Sequence, residues 1–248
     1  MEDVPGVGKT TLAKTLAEVF GLDFKRVQFS ADMLPSDIIG VNFFDISKKE
    51  FVFKKGPIFT EIFLADELNR ATPKAQSALL EAMEERQVSV DGITYFLPDD
   101  FFVIATQNPN EHGIYPLPLS QLDRFGISIS IGYPQREFEK QILKSQEVKL
   151  KDFKEEISFY KQKAKEIFVD EKIYDLILDL GDISRRLFST GLSTRALLSL
   201  LDISKAYAMI NERDFVIDED IFTIFKYVSR HRLERDGYKK IIYAYYKS

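Results

Sequence analysis

Apolar and polar positions alternate along this chain in two different rhythms. Up to about Pro134, short apolar runs such as Glu61 to Ala65 and Phe101 to Thr106 are separated by helical stretches such as Pro73 to Glu85. Apolar runs with helix-length segments between them are expected for parallel strands whose two faces are both covered. The pattern therefore predicts an α/β fold with a parallel sheet. Two hairpins are expected to interrupt it. Asp91-Gly92 separates Val88 and Val90 from Ile93, Tyr95 and Leu97, the arrangement of a two-residue turn with alternating flanks. In the other, Phe44 and Ile46 are expected to face Phe51 and Phe53 across a turn at Ser47 to Glu50. From Gln135 onward the apolar positions recur at helical spacing. Leu197, Leu201, Lys205 and Ala208 fall on one face, and Ile221, Phe225 and Val228 on another. Residues 1–135 are thus expected to form the α/β core and residues 136–248 a small α-helical domain. The Lys- and Glu-rich run from Lys149 to Lys165 is read as a solvated helix.

Composition narrows the chemistry. The chain has no cysteine and two histidines, so a disulfide framework, a thiolate metal site and a cysteine nucleophile are excluded, and a histidine-built metal centre is not expected. A formal net charge of -5 makes nucleic acid an unexpected partner. No stretch of about 18 apolar residues and no basic leader followed by an apolar run occurs, so neither a membrane span nor export is expected. A cytoplasmic location is the simple expectation.

The strongest local signal is Pro5-Gly6-Val7-Gly8-Lys9-Thr10-Thr11, followed at once by a helical stretch from Leu12 to Ala17. Small residues let backbone N–H groups converge on phosphate oxygens, Lys9 can reach terminal phosphates, and the Thr10 hydroxyl can ligate magnesium at a helix N-terminus. Taken alone, the same residues also suit an ordinary Gly-rich turn before a helix. A second signal lies at the end of the apolar run Glu61-Ile62-Phe63-Leu64-Ala65, which closes on Asp66-Glu67. Neighbouring strand residues point to opposite sides, so Asp66 can address the magnesium shell while Glu67 turns toward an attacking water as general base. The alternative for these two acids is to cap the following helix together with Asn69.

Leu64 to Ala71 and Gln76 to Glu85 resemble the corresponding segments of MoxR-type AAA+ ATPases, which bind ATP with Mg2+. Later stretches do so as well. The resemblance makes Asn108, in Ala105-Thr106-Gln107-Asn108-Pro109, a sensor 1 residue that orients the lytic water; by itself Asn-Pro also suits a turn. Tyr115 to Phe125 is similar to the segment bearing the family's arginine finger, which makes Arg124 the group that reaches a neighbouring subunit's ATP, with a surface ion pair as the alternative. Gly191 to Ala196 resembles the start of a lid helix that presents a sensor 2 arginine, here Arg195; Ser193 also suits a plain N-cap.

The similarity runs from Glu2 to about Ile221 and keeps the order of five elements. It implies a P-loop AAA+ core with hairpin insertions over Asp32 to Phe59 and Val88 to Leu97, followed by a helical lid. It also implies a homo-oligomeric ring, expected to be hexameric, that remodels or matures a protein client, with partners bearing von Willebrand factor A domains. Departures are Asp3 in place of a glycine, Thr194 in place of a proline, and a shorter segment around Asn110 to Ile114. A phosphate loop ordinarily ends a buried strand, and only Met1 to Val4 precede this one, so an N-terminally shortened form is expected. Two other functions share such a core: a nucleotide-dependent scaffold with negligible turnover, and a nucleic-acid motor of the helicase-loader kind.

Overall fold

The structure, a computed structural model, describes residues 1, 6–108, 113–144, 153, 156–234 and 236–247. Asp3, Pro5, Asn110 to His112 and part of the charged run between Lys149 and Lys165 lie outside the described residues. The chain forms two compact units, Met1–Leu117 with Ser130–Lys154, and Pro118–Ile129 with Glu155–Ser248.

In chain order the first unit contains α1 (Lys9–Phe20), β1 (Phe24–Gln28), α2 (Pro35–Ile39), β2 (Gly40–Asp45), β3 (Glu50–Lys55) and β4 (Ile62–Asp66). A 3-10 turn at Leu68–Arg70, α3 (Pro73–Glu85), β5 (Gln87–Val90), β6 (Ile93–Phe96) and β7 (Phe102–Ala105) follow. The second unit begins with α4 (Leu119–Leu122), while α5 (Arg136–Leu143) returns to the first. Strands β1, β4 and β7 are parallel in the order β1-β4-β7, as the apolar runs predicted. All five residues of β4 are buried, which explains their lack of alternation. Ile62 and Leu64 pack with Ala13 and Ala17 of α1 and Ile104 of β7, where the two alanines let the helix lie close. Phe63 takes the opposite face and is fully buried. On the edge of β7 away from β4, the Met1 ammonium donates to the Ala105 carbonyl at 2.6 Å, and the Gln107 N–H donates to the Met1 carbonyl at 3.0 Å.

Both expected hairpins are present. Asp91 and Gly92 have φ of 50° and 81° and join β5 to β6, with Val90 opposite Ile93. The other hairpin turns one residue earlier than its apolar pattern suggested, over Ile46 to Lys49, which puts Phe44 opposite Phe51 and Asn42 opposite Phe53. Asp45 sets this register, because one of its carboxylate oxygens accepts from the Ser47 N–H at 2.9 Å, the Ser47 hydroxyl at 2.6 Å and the Lys48 N–H at 3.3 Å. A close backbone approach fixes the root of this hairpin. A Cβ on Gly56 would lie 2.3 Å from the Ile38 carbonyl oxygen and 2.5 Å from the Gly40 N.

The second unit is helical, with α6 (Ile157–Glu166), α7 (Glu171–Leu187), α8 (Thr194–Ile210), α9 (Asp218–Ser229) and α10 (Gly237–Tyr245). The charged helix α6 buries none of its residues, in keeping with a solvated reading. Leu180, Leu200, Ala208, Ile221, Phe225 and Ile241 form the centre of the core. The buried stripe on α8 runs through Ala196, Leu197, Leu200, Ser204 and Ala208. Lys205 sits beside that stripe and donates to the Lys165 carbonyl at 2.7 Å.

A buried arginine ties the Pro118–Ile129 segment to these helices. Arg232 Nε donates to Asp123 Oδ1 at 2.8 Å, and its Nη2 donates to the carbonyls of Asp123 at 2.9 Å and Phe125 at 2.6 Å. Nη1 reaches the Gly126 and Val228 carbonyls at 3.1 and 2.5 Å. Beside it, His231 is 7% exposed and its Nε2 lies 2.9 Å from the Phe125 carbonyl, which can only accept, so Nε2 carries the proton. Burial, reinforced by the neighbouring Arg232 charge, pushes the His231 pKa down to about 4. Burial alone would raise the Asp123 pKa, but hydrogen bonds from Arg232 and Ser193 and the charges of Arg232 and Arg195 bring it below the ordinary carboxylate range.

A histidine that is neutral when folded and protonated when unfolded contributes fully above its unfolded pKa near 6.5, and loses that contribution as the pH falls toward 4. Asp123 is ionised in both states above its ordinary value, so it adds nothing in that window. Between pH 7 and pH 4.5 the parent should therefore lose about 2 kcal/mol more stability than His231→Gln, whose amide can replace the Nε2 donor. Urea unfolding of both chains at the two pH values measures this, and equal pH dependence would refute it.

Candidate functional site

Four chain segments meet at the C-terminal ends of the three parallel strands, the position where open α/β sheets present their ligands. The cleft there has a volume of about 380 Å³ and is lined by Gly6, Gly8, Lys9, Thr10 and Thr11 from one side. Arg26, Asp66, Glu67, Thr106, Gln107 and Asn108 line it from the strand ends.

The loop side follows from its glycines. Gly6 and Gly8 have φ of 83° and 88°, and a Cβ on either would meet nothing within 4 Å, so it is backbone conformation and not crowding that selects glycine. Gly8 leads directly into α1, and the Leu12 N–H donates to its carbonyl at 2.9 Å. The cleft thus faces the positive end of a twelve-residue helix, beside the Lys9 side chain. Val7 turns inward and is buried.

The strand side is organised by one carboxylate. Asp66, 8% exposed, ends β4, and its Oδ1 accepts a short bond from the Thr106 hydroxyl. Its Oδ2 accepts from Arg26 Nε at 2.9 Å, Arg26 Nη2 at 2.7 Å and the Thr10 hydroxyl at 3.5 Å. The Thr106 hydroxyl in turn accepts the Glu67 N–H at 2.9 Å.

Glu67 reaches the cleft by a route that strand alternation did not anticipate. The strand has ended at Asp66, and Glu67 is left-handed with φ of 55°. That single turn of the backbone places both acids on the same cleft. Glu67 Oε2 accepts from Gln28 Nε2 at 2.6 Å and from Arg70 Nη1 at 2.9 Å. Neither acid caps α3, which is capped by Thr72 accepting from the Ala75 N–H at 3.4 Å. Asn108 is anchored by its own carbonyl, which accepts from Asn69 Nδ2 at 3.1 Å.

Gly6, Gly8, Lys9, Thr10, Thr11, Asp66, Glu67 and Asn108 are therefore brought together. Arg124 and Arg195 belong to the second unit. There Arg195 Nη1 lies 3.6 Å from Asp123 Oδ2, and the Ser193 hydroxyl both donates to Asp123 and accepts the Ala196 N–H at 3.1 Å as the cap of α8. Arg26, Gln28 and Thr106 were not singled out in the sequence. The one signal available was two polar residues at alternate positions, Arg26 and Gln28, at the C-terminal end of a strand.

The residues suit a nucleotide with Mg2+. A glycine loop opens onto a helix N-terminus, and a hydroxyl and a carboxylate from opposite walls approach to 3.5 Å. Among the described residues no group of three or more His, Asp or Glu could hold a metal.

An α/β core with a phosphate loop, followed by a helical lid, is the architecture of the AAA+ class. Residues 1–127 match the model of the ATPase family associated with various cellular activities (AAA), and residues 181–240 match the AAA lid domain. The uncharacterized protein YeaC of Bacillus subtilis is 43% identical over 243 residues, covering 94% of this chain and 76% of that protein. Chaperone MoxR1 of Mycobacterium tuberculosis is 39% identical over 251 residues, covering 94% of this chain and 66% of that one. A crystal structure from Cytophaga hutchinsonii, described as a candidate ATPase, superposes with a TM-score of 0.85 at 34% identity, covering 98% of this chain and 83% of that one. The chain belongs to the AAA ATPase family, in its MoxR group.

Thr106→Val keeps the shape of the side chain but removes the hydroxyl that bonds Asp66 and accepts from Glu67. Its loss should cost about 1 to 3 kcal/mol, because two buried polar groups lose a partner. Denaturant unfolding measures this, and a change below about 0.5 kcal/mol would mean that the hydroxyl does not support the strand ends.

Proposed function

We propose that this chain binds ATP with Mg2+ in the cleft between α1 and the end of β4, hydrolyses it, and uses the cycle to remodel or mature a protein client. The supporting observation is the convergence of the Gly6 to Thr11 loop with Asp66 and Glu67 on one cleft. In this reading, the backbone N–H groups of the loop, preceded by Pro5 and including Val7, cradle phosphate oxygens, and Lys9 binds the terminal phosphates. Thr10 and Asp66 hold the metal, which supplies charge neutralisation across the phosphates. Glu67 accepts the proton of the attacking water, with Gln28 and Arg70 orienting its carboxylate. Asn108 orients that water. Most of the rate comes from positioning and charge, since phosphoryl transfer asks little covalent chemistry of the protein.

The remaining roles rest on the family. Arg124 acts on the ATP of a neighbouring subunit and Arg195 on the phosphates of its own, in a ring of six. The client is a protein, with von Willebrand factor A partners, in the cytoplasm. Among the described residues no helix is long and apolar enough to cross a membrane.

Glu67→Gln should keep nucleotide affinity while turnover falls at least about 10²-fold, and Lys9→Ala should lose affinity itself. Fluorescent-nucleotide binding and phosphate release distinguish the two, and turnover in Glu67→Gln equal to the parent's would sink the base assignment. Arg124→Ala should lower turnover on the order of 10³-fold with binding intact. Mixing it with Glu67→Gln should restore part of the activity, because one subunit then offers an intact arginine to another's intact base. Mixtures as inactive as either variant alone, under conditions where rings form, would exclude action between subunits.

A further inference from the structure

The carboxylate oxygen that a metal would use is already occupied by a side chain. Asp66 Oδ1 is turned to Thr106, whereas Oδ2 is the oxygen nearest the Thr10 hydroxyl, and Arg26 places both Nε and Nη2 on it. A carboxylate oxygen offers about two lone-pair directions, so the two donors of this fork compete with any further ligand on Oδ2. We propose that Arg26 is a tethered cation that stands on Asp66 in the nucleotide-free protein and is exchanged for Mg2+ on loading. The proposal rests on the ATP–Mg2+ reading above and adds to it a residue that sets how much metal the cleft requires.

Two observations favour exchange over a fixed structural pair. The two partners are unequally buried, with the Asp66 side chain 11% exposed and the Arg26 side chain 47% exposed. Asp66 therefore needs a cation beside it at all times, while the half-exposed guanidinium, which also donates to Gln28 Oε1 at 3.0 Å, can leave toward water by giving up that exposed bond together with the pair. The backbone also aims Arg26 at this oxygen from behind. In the β1–β4 register Gln28 lies opposite Asp66 and Arg26 opposite Leu64, so the guanidinium reaches forward along the strand and can withdraw without disturbing the ladder.

Charge sets the sign of the expected effect. Removing Arg26 leaves a nearly buried carboxylate with only hydroxyl donors, which raises its attraction for a cation. A half-exposed, two-donor ion pair should hinder the metal about fivefold.

The test uses the full chain and a fluorescent ATP analogue at fixed concentration, with Mg2+ titrated from chelated to millimolar. In Arg26→Gln the half-saturating Mg2+ should fall about fivefold, and in Arg26→Lys, which keeps the charge but not the fork, it should lie between the two. Without Mg2+, Arg26→Gln should unfold at lower urea than the parent, and Mg2+ alone should close that gap. A half-saturating Mg2+ that is unchanged or raised in Arg26→Gln, with the analogue still bound, overturns the exchange and leaves the proposed function standing. If Arg26→Gln does not fold, the same comparison with Arg26→Lys decides it. A parent that binds no analogue at any Mg2+ overturns the proposed function and the exchange together.

Discussion

The first unit depends on a strand that is too apolar to be anywhere but the middle of its sheet and yet ends in a carboxylate. Burying Ile62 to Ala65 on both faces carries Asp66 down to 8% exposure. A charge that far from water must be compensated, or the strand cannot stay where its apolar residues put it. The compensation comes from Thr106, the residue that follows β7, Arg26 on β1 and Thr10 on α1, so each neighbouring segment of β4 contributes one donor group. The register of the sheet, the position of the loop helix and the shape of the cleft all follow from satisfying that one group. In the proposed function the same carboxylate is, with Thr10, one of the two groups that would hold the metal.

The chain made some of this visible and hid the rest for physical reasons. Helix α3 over Pro73–Glu85 and the Asp91-Gly92 turn were legible because their signals are local: apolar positions at helical spacing, and two residues that tolerate positive φ. The loop and the acid pair were legible because phosphate chemistry constrains residue type and spacing together. The register of the β2–β3 hairpin was not, since a period-two pattern reads equally well one residue out of step, and the side chain of Asp45 decided the matter. The partners of the acids were hidden by distance: Arg26 and Thr106 each lie 40 positions from Asp66, and no periodicity reports which strands become neighbours.

Glu67 illustrates a subtler case. Its residue type and its place beside Asp66 pointed to the site, but the mechanism of its placement did not follow from strand geometry. A left-handed residue costs of order 1 kcal/mol, and here the bonds that its carboxylate accepts from Gln28 and Arg70, and the one that its N–H donates to the Thr106 hydroxyl, hold it. Strain of this kind concentrates where two side chains must converge from consecutive positions.

The buried Arg232 has a consequence for how substitutions in the second unit will be read. It lies 109 positions from Asp123 and well inside the helical half of the sequence, where a change would ordinarily be judged as one more perturbation of a core. Its five donor contacts, however, end on the carboxylate of Asp123 and on the carbonyls of Asp123, Phe125, Gly126 and Val228. Three of those carbonyls define the path of the chain on either side of Arg124. Position 232 therefore governs the direction in which residue 124 leaves the backbone, and a phenotype mapped to either position belongs, in structural terms, to both.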